Sequence, residues 1–346
     1  MVKAVDGNEV GQMNNGAPDN LRRSWGLRRQ IRTRPDNERS RRRKWLIKRL
    51  KKLDVERVMS RLLERGRKWR QLRRTPHPTT EKLPVFVVGC NRSGTNMVCA
   101  ALGNSPHGWA YQESELSLAF SAYHLRADSI IEWLIRHTPA PLVSFGSILD
   151  SQITDDLLSR FEPAKAIWVY RRYEDVANSC ARMQWGHSLK DLVRWAARGE
   201  FERLGARGRR ISADTVRLFG DLFREDLSNE AAACLYWYMR NQLYFDLNLD
   251  TDPRVLIVQY EDTVQNPVQA FQRIFRFLGL PFDPSIVDGV FASSVGKHTW
   301  LGTDPAIDEV CDNLKARLDA QYARTSGWTP PNTEASAAAT SPGESA

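Results

Sequence analysis

The sequence predicts an α/β fold of three layers, a central parallel sheet flanked by helices, and three observations carry that prediction. Apolar runs of strand length recur at 85–89, 167–170 and 255–259, with a fourth candidate at 141–145. Each run is followed by a stretch of helical periodicity, and the spacing between runs is far too long for hairpins. Strands separated in this way pair in parallel through right-handed crossovers.

Taken in order, residues 84–88 are a β-branched and aromatic run suited to a central strand, and a helix follows at 96–102. The periodicity then predicts helices at 114–123, 129–136, 155–161 and 176–183. Further helices are expected at 189–204, 230–248, 268–278 and 306–320. No internal repeat is present.

The junction between the first strand and its helix carries the most chemistry. Gly89-Cys90-Asn91-Arg92-Ser93-Gly94-Thr95-Asn96 sets two glycines five apart, which lets the backbone wrap around an anion at a helix start. A Walker loop places a Lys and then a metal-binding hydroxyl after its second glycine. Here Thr95 and Asn96 stand in those places, and a guanidinium, Arg92, comes two residues before Gly94. A nucleotide triphosphatase is disfavoured. A loop with its own cation and no metal ligand suits a donor such as a phosphosulfate, whose leaving group needs less neutralisation.

Two later segments repeat the strand, turn and helix pattern. Residues 165–170 lead into Arg171-Arg172-Tyr173-Glu174-Asp175 and then Ser179, while 254–259 lead into Tyr260-Glu261-Asp262, Asn266-Pro267 and Phe277-Leu278-Gly279. Together and in this order the three segments resemble the 3′-phosphoadenosine-5′-phosphosulfate (PAPS) dependent sulfotransferases. The resemblance implies a P-loop-like fold and a metal-independent transfer of a sulfuryl group from PAPS to a hydroxyl or amine. It runs over most of the chain beyond residue 82.

Under that resemblance Arg92, Ser93, Gly94, Thr95 and Asn96 match the 5′-phosphosulfate loop. Arg171 and Ser179 match the 3′-phosphate pair: Ser179 lies about one and a half turns into the helix that Arg171 precedes, so both can reach one phosphate. Arg172 is the neighbouring alternative, and an ion pair of Arg171 with Glu174 or Asp175 is the competing structural reading. Lys297, in the segment 293–300, matches a late loop that closes over the same phosphate. Asn91 replaces the usual proline of the loop and Asn96 a more frequent threonine; both are expected to hydrogen-bond phosphate oxygens.

The base is less well marked. One branch of the family uses a histidine here, and none lies between His137 and Arg171. Relatives with a carboxylate base carry a glutamate after the first helix, past a turn that Ser105-Pro106-His107 resembles, which selects Glu113. Trp109 and Tyr111 could wall it with apolar surface and raise its proton affinity. Glu113 fronting the helix expected at 114–123 is the competing reading, with Glu115 equally available. His187, in the long insert 184–229, is a weaker candidate; that insert is the expected seat of acceptor specificity.

Charge divides the chain. Of its 50 Lys and Arg and 41 Asp and Glu, residues 21–75 hold 23 and 5, so this arm carries +18 and the rest of the chain −9. Within it Trp45, Leu46, Leu50, Leu53, Val58, Leu62 and Trp69 recur at near-helical spacing over 44–72, which predicts a basic amphipathic helix. Such a helix can pack its stripe on the catalytic domain or lie on an anionic membrane surface; nucleic acid is the least favoured partner, because no stacking aromatics accompany the charge. The expected division is therefore 1–20 disordered, 21–82 a partly helical arm, 83–328 the catalytic domain and 329–346 a disordered tail. No run approaches the length of a membrane span, no signal peptide opens the chain, and five scattered cysteines argue for a reducing compartment, so a cytoplasmic protein is expected. A kinase-like nucleotide-binding protein and an inactive membrane-docked scaffold remain the alternatives.

Overall fold

The computed structural model describes residues 55–114, 117–180, 188–291, 300 and 302–326. It divides into two units, 1–68 and 69–346. In the first, the described residues are helical from Val55, the start of α1 (Val55–Arg74), whose last residues belong to the second unit.

The second unit is built on a five-stranded parallel sheet in the order β2-β5-β1-β6-β7. Its strands are β1 (Leu83–Gly89), β2 (Gly108–Gln112), β5 (Leu142–Gly146), β6 (Lys165–Tyr170) and β7 (Val255–Gln259). Successive side chains of a strand point to opposite faces, and the two cores follow that alternation. Phe86, Val88, Phe145, Trp168 and Ile257 enter one core, together with α9 (Asn229–Asp246) and α12 (Pro305–Ser326). Val85, Val87, Ile167, Val169 and Val258 enter the other, against α2 (Thr95–Asn104) and α11 (Pro267–Leu278). Strands buried on both faces explain why each reads as an uninterrupted apolar run.

The remaining helices are α3 (Asp128–His137), α4 (Thr154–Arg160), α5 (Tyr173–Cys180), α6 (Leu189–Ala197), α7 (Phe201–Leu204), α8 (Ala213–Leu222) and α10 (Tyr260–Gln265). A 3₁₀ turn, Ile148–Ile153, follows β5.

Three expectations need correction. The segment expected to be a turn before a helix is the edge strand β2, paired with β5 through Gly108 to Gln112. No helix fills 114–123 among the described residues; Phe120–Ser121 (β3) and His124–Leu125 (β4) form a small antiparallel hairpin instead. Ala119 and Phe120 are buried there and anchor the hairpin. The helix expected at 189–204 stops after Ala197, because Gly199 takes a left-handed φ of 67° that ends the turn, and α7 restarts at Phe201.

The chain reverses direction across the sheet at β1. From β1 it runs outward to β2, returns to β5, and then crosses to β6 on the other side. In open α/β sheets that switch point is where ligands bind, beyond the carboxyl ends of the strands. Gly89 pairs with Val169 and Tyr170 with Gln259, so the segments after β1, β6 and β7 leave the sheet side by side.

Candidate active site

The loop after β1 has a backbone that only certain residues permit. Gly89 (φ 133°) lies so close to β6 that a Cβ would overlap the Val169 carbonyl, and on Gly94 (φ 92°) it would overlap the Tyr260 ring. Arg92 holds φ 70°, an unfavourable conformation for a side chain of its size. Gly94 is the cap residue of α2 and no side chain caps this helix, so the first-turn N–H groups face the loop's concavity unclaimed by a side chain. Ser93 is fully buried and its hydroxyl has no hydrogen-bond partner. An orphaned buried hydroxyl is costly unless a ligand completes it, and a phosphate oxygen would do so.

The two phosphate motifs meet through Arg92. Its Nε donates to Ser179 Oγ on α5 at 2.8 Å, and Arg171 Nη1 donates to the Arg92 carbonyl at 3.4 Å. Residues some eighty positions apart in the chain are thereby brought to one point. Ser179 accepts from Arg92 rather than meeting Arg171 directly.

Arg171 is the inner of the two arginines. Its side chain is 9% exposed against 38% for Arg172, it pairs with Asp175 at 3.1 Å, and its guanidinium lies 4.5 Å from the centre of the Tyr260 ring. Arg172 meets the same Asp175 at 3.4 Å and gives its backbone N–H to Glu261 Oε1 at 3.1 Å. The ion pair that competed with the phosphate role is thus present, inside the site. Burial raises the proton affinity of Glu261, and its hydrogen bonds with backbone N–H groups and the nearby Arg171 and Arg172 lower it.

Glu113 closes the far end of β2 and does not front a helix. Gln112 beside it donates to the Asn96 carbonyl at 3.4 Å, tying the strand end to the first turn of α2. Glu113 Oε1 accepts the Leu149 N–H at 2.9 Å. Burial pushes its pKa from the ordinary range up to about 7; the Leu149 N–H works against this, and Asp150 adds to it. A carboxyl poised there can accept a proton near neutrality.

Several site features escaped sequence reading. His124, on the β3–β4 hairpin, sets its Nδ1 2.7 Å from Asp150 Oδ1, and Asp150 Oδ2 accepts the Leu125 N–H at 2.8 Å. It precedes the stretch between His137 and Arg171, where the histidine of one family branch is expected. Asn91 Oδ1 accepts a hydrogen bond from Tyr236 Oη at 2.7 Å, which braces the loop through its amide oxygen. Trp237 Nε1 likewise donates to the Arg171 carbonyl at 2.8 Å. Both braces come from adjacent aromatic residues of α9, and no local pattern distinguishes them from ordinary core aromatics. Lys297, Glu115 and His187 lie outside the described residues, as does the chain before Val55.

Residues 82–299, more than half of the chain, match the family described as the sulfotransferase domain. Among solved structures, the sulfotransferase domain from the curacin biosynthetic pathway shares 16% identity, with 68% of this chain and 99% of that one covered and a TM-score of 0.44. The sulfotransferase from Alicyclobacillus acidocaldarius shares 16% identity over 71% of this chain and 96% of its own, with a TM-score of 0.40. A mouse sulfotransferase complexed with PAP shares 15% identity over 75% of this chain and 89% of its own, with a TM-score of 0.34. No curated protein matches the sequence. The match spans more than half of the chain, and the chain therefore belongs to the sulfotransferase family, enzymes that transfer sulfur-containing groups.

Proposed function

We propose that this sulfotransferase takes its sulfuryl group from PAPS and passes it to a hydroxyl or amine, with Glu113 as the base. The observation that carries the reading is the bridge from Arg92 to Ser179 at 2.8 Å, which joins the loop suited to the phosphosulfate end with the helix suited to the 3′-phosphate. Ser93, Thr95, Asn96 and the N–H of Gly94 line the first of these sites, and Arg171 and Ser179 the second. Lys297 belongs to the second by motif alone.

Arg92 and the loop N–H groups are placed to stabilise the charge that develops on the bridging oxygen as its bond to sulfur breaks. Arg171 and Ser179 anchor the other end of the donor, which orients the reacting end without touching it. Glu113 takes the proton that the acceptor loses as its oxygen or nitrogen bonds to sulfur. The loop supplies its own cation, so this chemistry calls for no metal. The insert 184–229, which holds α6, α7 and α8, is the proposed acceptor-facing region.

The test is a panel of acceptors incubated with radiolabelled PAPS and read for transfer of label and for the mass gain of one sulfuryl group. Arg92→Ala should abolish transfer and weaken 3′-phosphoadenosine-5′-phosphate (PAP) binding by roughly 1.5–3 kcal/mol, the worth of a charge-assisted contact. Unchanged affinity and turnover would remove Arg92 from the site. Glu113→Gln should cut turnover by about 10²–10⁴ with PAP binding intact. A Mg²⁺-dependent ATP isotherm without PAP binding would favour the kinase-like alternative.

A further inference from the structure

Arg240 is fully buried in the middle of α9, and both of its hydrogen-bond partners are neutral oxygens. Nη2 donates to the Ile148 carbonyl at 2.8 Å and Nη1 to Gln152 Oε1 at 3.0 Å, while Nε has no partner. A buried guanidinium without an anion is expensive to maintain. The titratable groups its charge acts on do not supply one: burial holds the Cys90 thiol well above its usual range and pushes the Tyr236 hydroxyl up to about 12, so both stay protonated near neutrality. Arg207, the other charged side chain acting on Tyr236, is itself a cation.

The carbonyl that Arg240 holds belongs to the same peptide group as the N–H that Glu113 accepts. Ile148 O receives the guanidinium on one side, and Leu149 N–H, across the same planar unit, donates to Glu113 Oε1 at 2.9 Å. A cation on the carbonyl draws charge away from the nitrogen and makes the N–H a stronger donor, an effect that grows where water is excluded. We propose that Arg240 is a positioning residue for sulfuryl transfer, holding and polarising through this one peptide group the hydrogen bond that orients Glu113. The same turn is tied to the donor loop, since Ser151 Oγ accepts the Gly89 N–H at 2.9 Å, while its own proton lies between the Ile148 carbonyl at 2.8 Å, which it shares with Arg240, and the Gly89 carbonyl at 3.1 Å. Arg240 therefore fixes the base relative to the phosphate cradle.

The inference rests on the reading of Glu113 as base, and its test has a readout that does not need that reading. The groups facing Glu113 are Asp150, His124, the Cys99 thiol and the N–H groups of Ile148 and Leu149, all of which remain when Arg240 is replaced. Arg240→Gln, which can keep one bond to Ile148 O, and Arg240→Met, which keeps the bulk, both remove the charge. In the full chain, isotope-labelled glutamate carboxyl signals, with Glu113 assigned by its loss in Glu113→Gln, should titrate about one pH unit higher in both variants, because a lost cation favours the protonated carboxyl. The acidic limb of the kcat profile should move up by the same amount with PAP affinity retained. A variant that folds, by circular dichroism, and titrates Glu113 at the wild-type midpoint would overturn the proposal, whichever of the two it is. Full activity in Glu113→Gln would instead remove the base assignment and leave the carboxyl titration to judge Arg240 alone.

Discussion

Burial gives Glu113 two properties that can be measured apart, a proton affinity suited to catalysis and a cost to the fold. Its pKa is about 7 in the folded protein against an ordinary value of 4.5. The folded state thus binds the proton more tightly than the unfolded one, and the stability this contributes is present below pH 4.5 and lost as the pH rises through about 7. Glu113→Gln should therefore be more stable than wild type by about 2 kcal/mol at pH 8 while matching it near pH 4, with the half-buried site trimming the full linkage value. Denaturant midpoints at the two pH values check this. A constant offset between the proteins would show that Glu113 is not held at raised proton affinity. The neighbouring arginines divide in the same manner. Arg171→Ala should remove discrimination between PAP and its analogue without the 3′-phosphate, whereas Arg172→Ala, which deletes a side chain 38% exposed, should keep most of it. The reverse result in calorimetry would assign the phosphate to Arg172.

At the scale of elements, strands that are apolar on both faces were legible because the 3.3 Å rise and alternating side chains leave few other uses for such runs. The loop after β1 and the turn after β6 were legible too, since a left-handed glycine and an arginine at a strand end are local features. β2 was not, because Gly108-Trp109-Ala110-Tyr111-Gln112 is short and carries no β-branched residue, and its place in the sheet is set by pairing with Leu142–Gly146, some thirty residues on. The β3–β4 hairpin was hidden for a related reason. Its turn residues, Ala122 and Tyr123, hold φ values of 50° and 67° although neither is the Asn or Gly that such turns prefer. The turn adjoins His124 and Leu125, whose two contacts with Asp150 no local pattern announces. The site was legible on its donor side and opaque around its base, where Glu113 takes its hydrogen bond from Leu149, in a turn thirty-six residues on.

At the scale of the whole molecule the open question is the basic arm, and the structure moves the boundary at which to ask it. Trp69 packs edge-on against Trp109 with ring centres 5.1 Å apart, and Leu72 is 2% exposed. The end of the arm's apolar stripe is therefore part of the catalytic core, and among the described residues no helix is long and apolar enough to cross a membrane. A chain starting at Lys82 would lose both side chains, and a buried Leu and a large aromatic together contribute several kcal/mol, about 1.5–3 kcal/mol each. A chain starting at Trp69 would keep them and shed +15 of the arm's +18 charge, 20 Lys and Arg against 5 Asp and Glu over 21–68. If the charge serves an anionic membrane surface, each Lys or Arg near it contributes about 1 kcal/mol, and the attraction fades with salt over a screening length of about 8 Å. The expected result is that the Trp69 start keeps the melting temperature and turnover of the full chain but loses sedimentation with phosphatidylserine vesicles at low salt. The Lys82 start should melt several degrees lower and bind an apolar dye. Equal melting temperatures for the two truncations would show that Trp69 and Leu72 do not hold the core, and a full chain that never sediments would leave the charge without a membrane role.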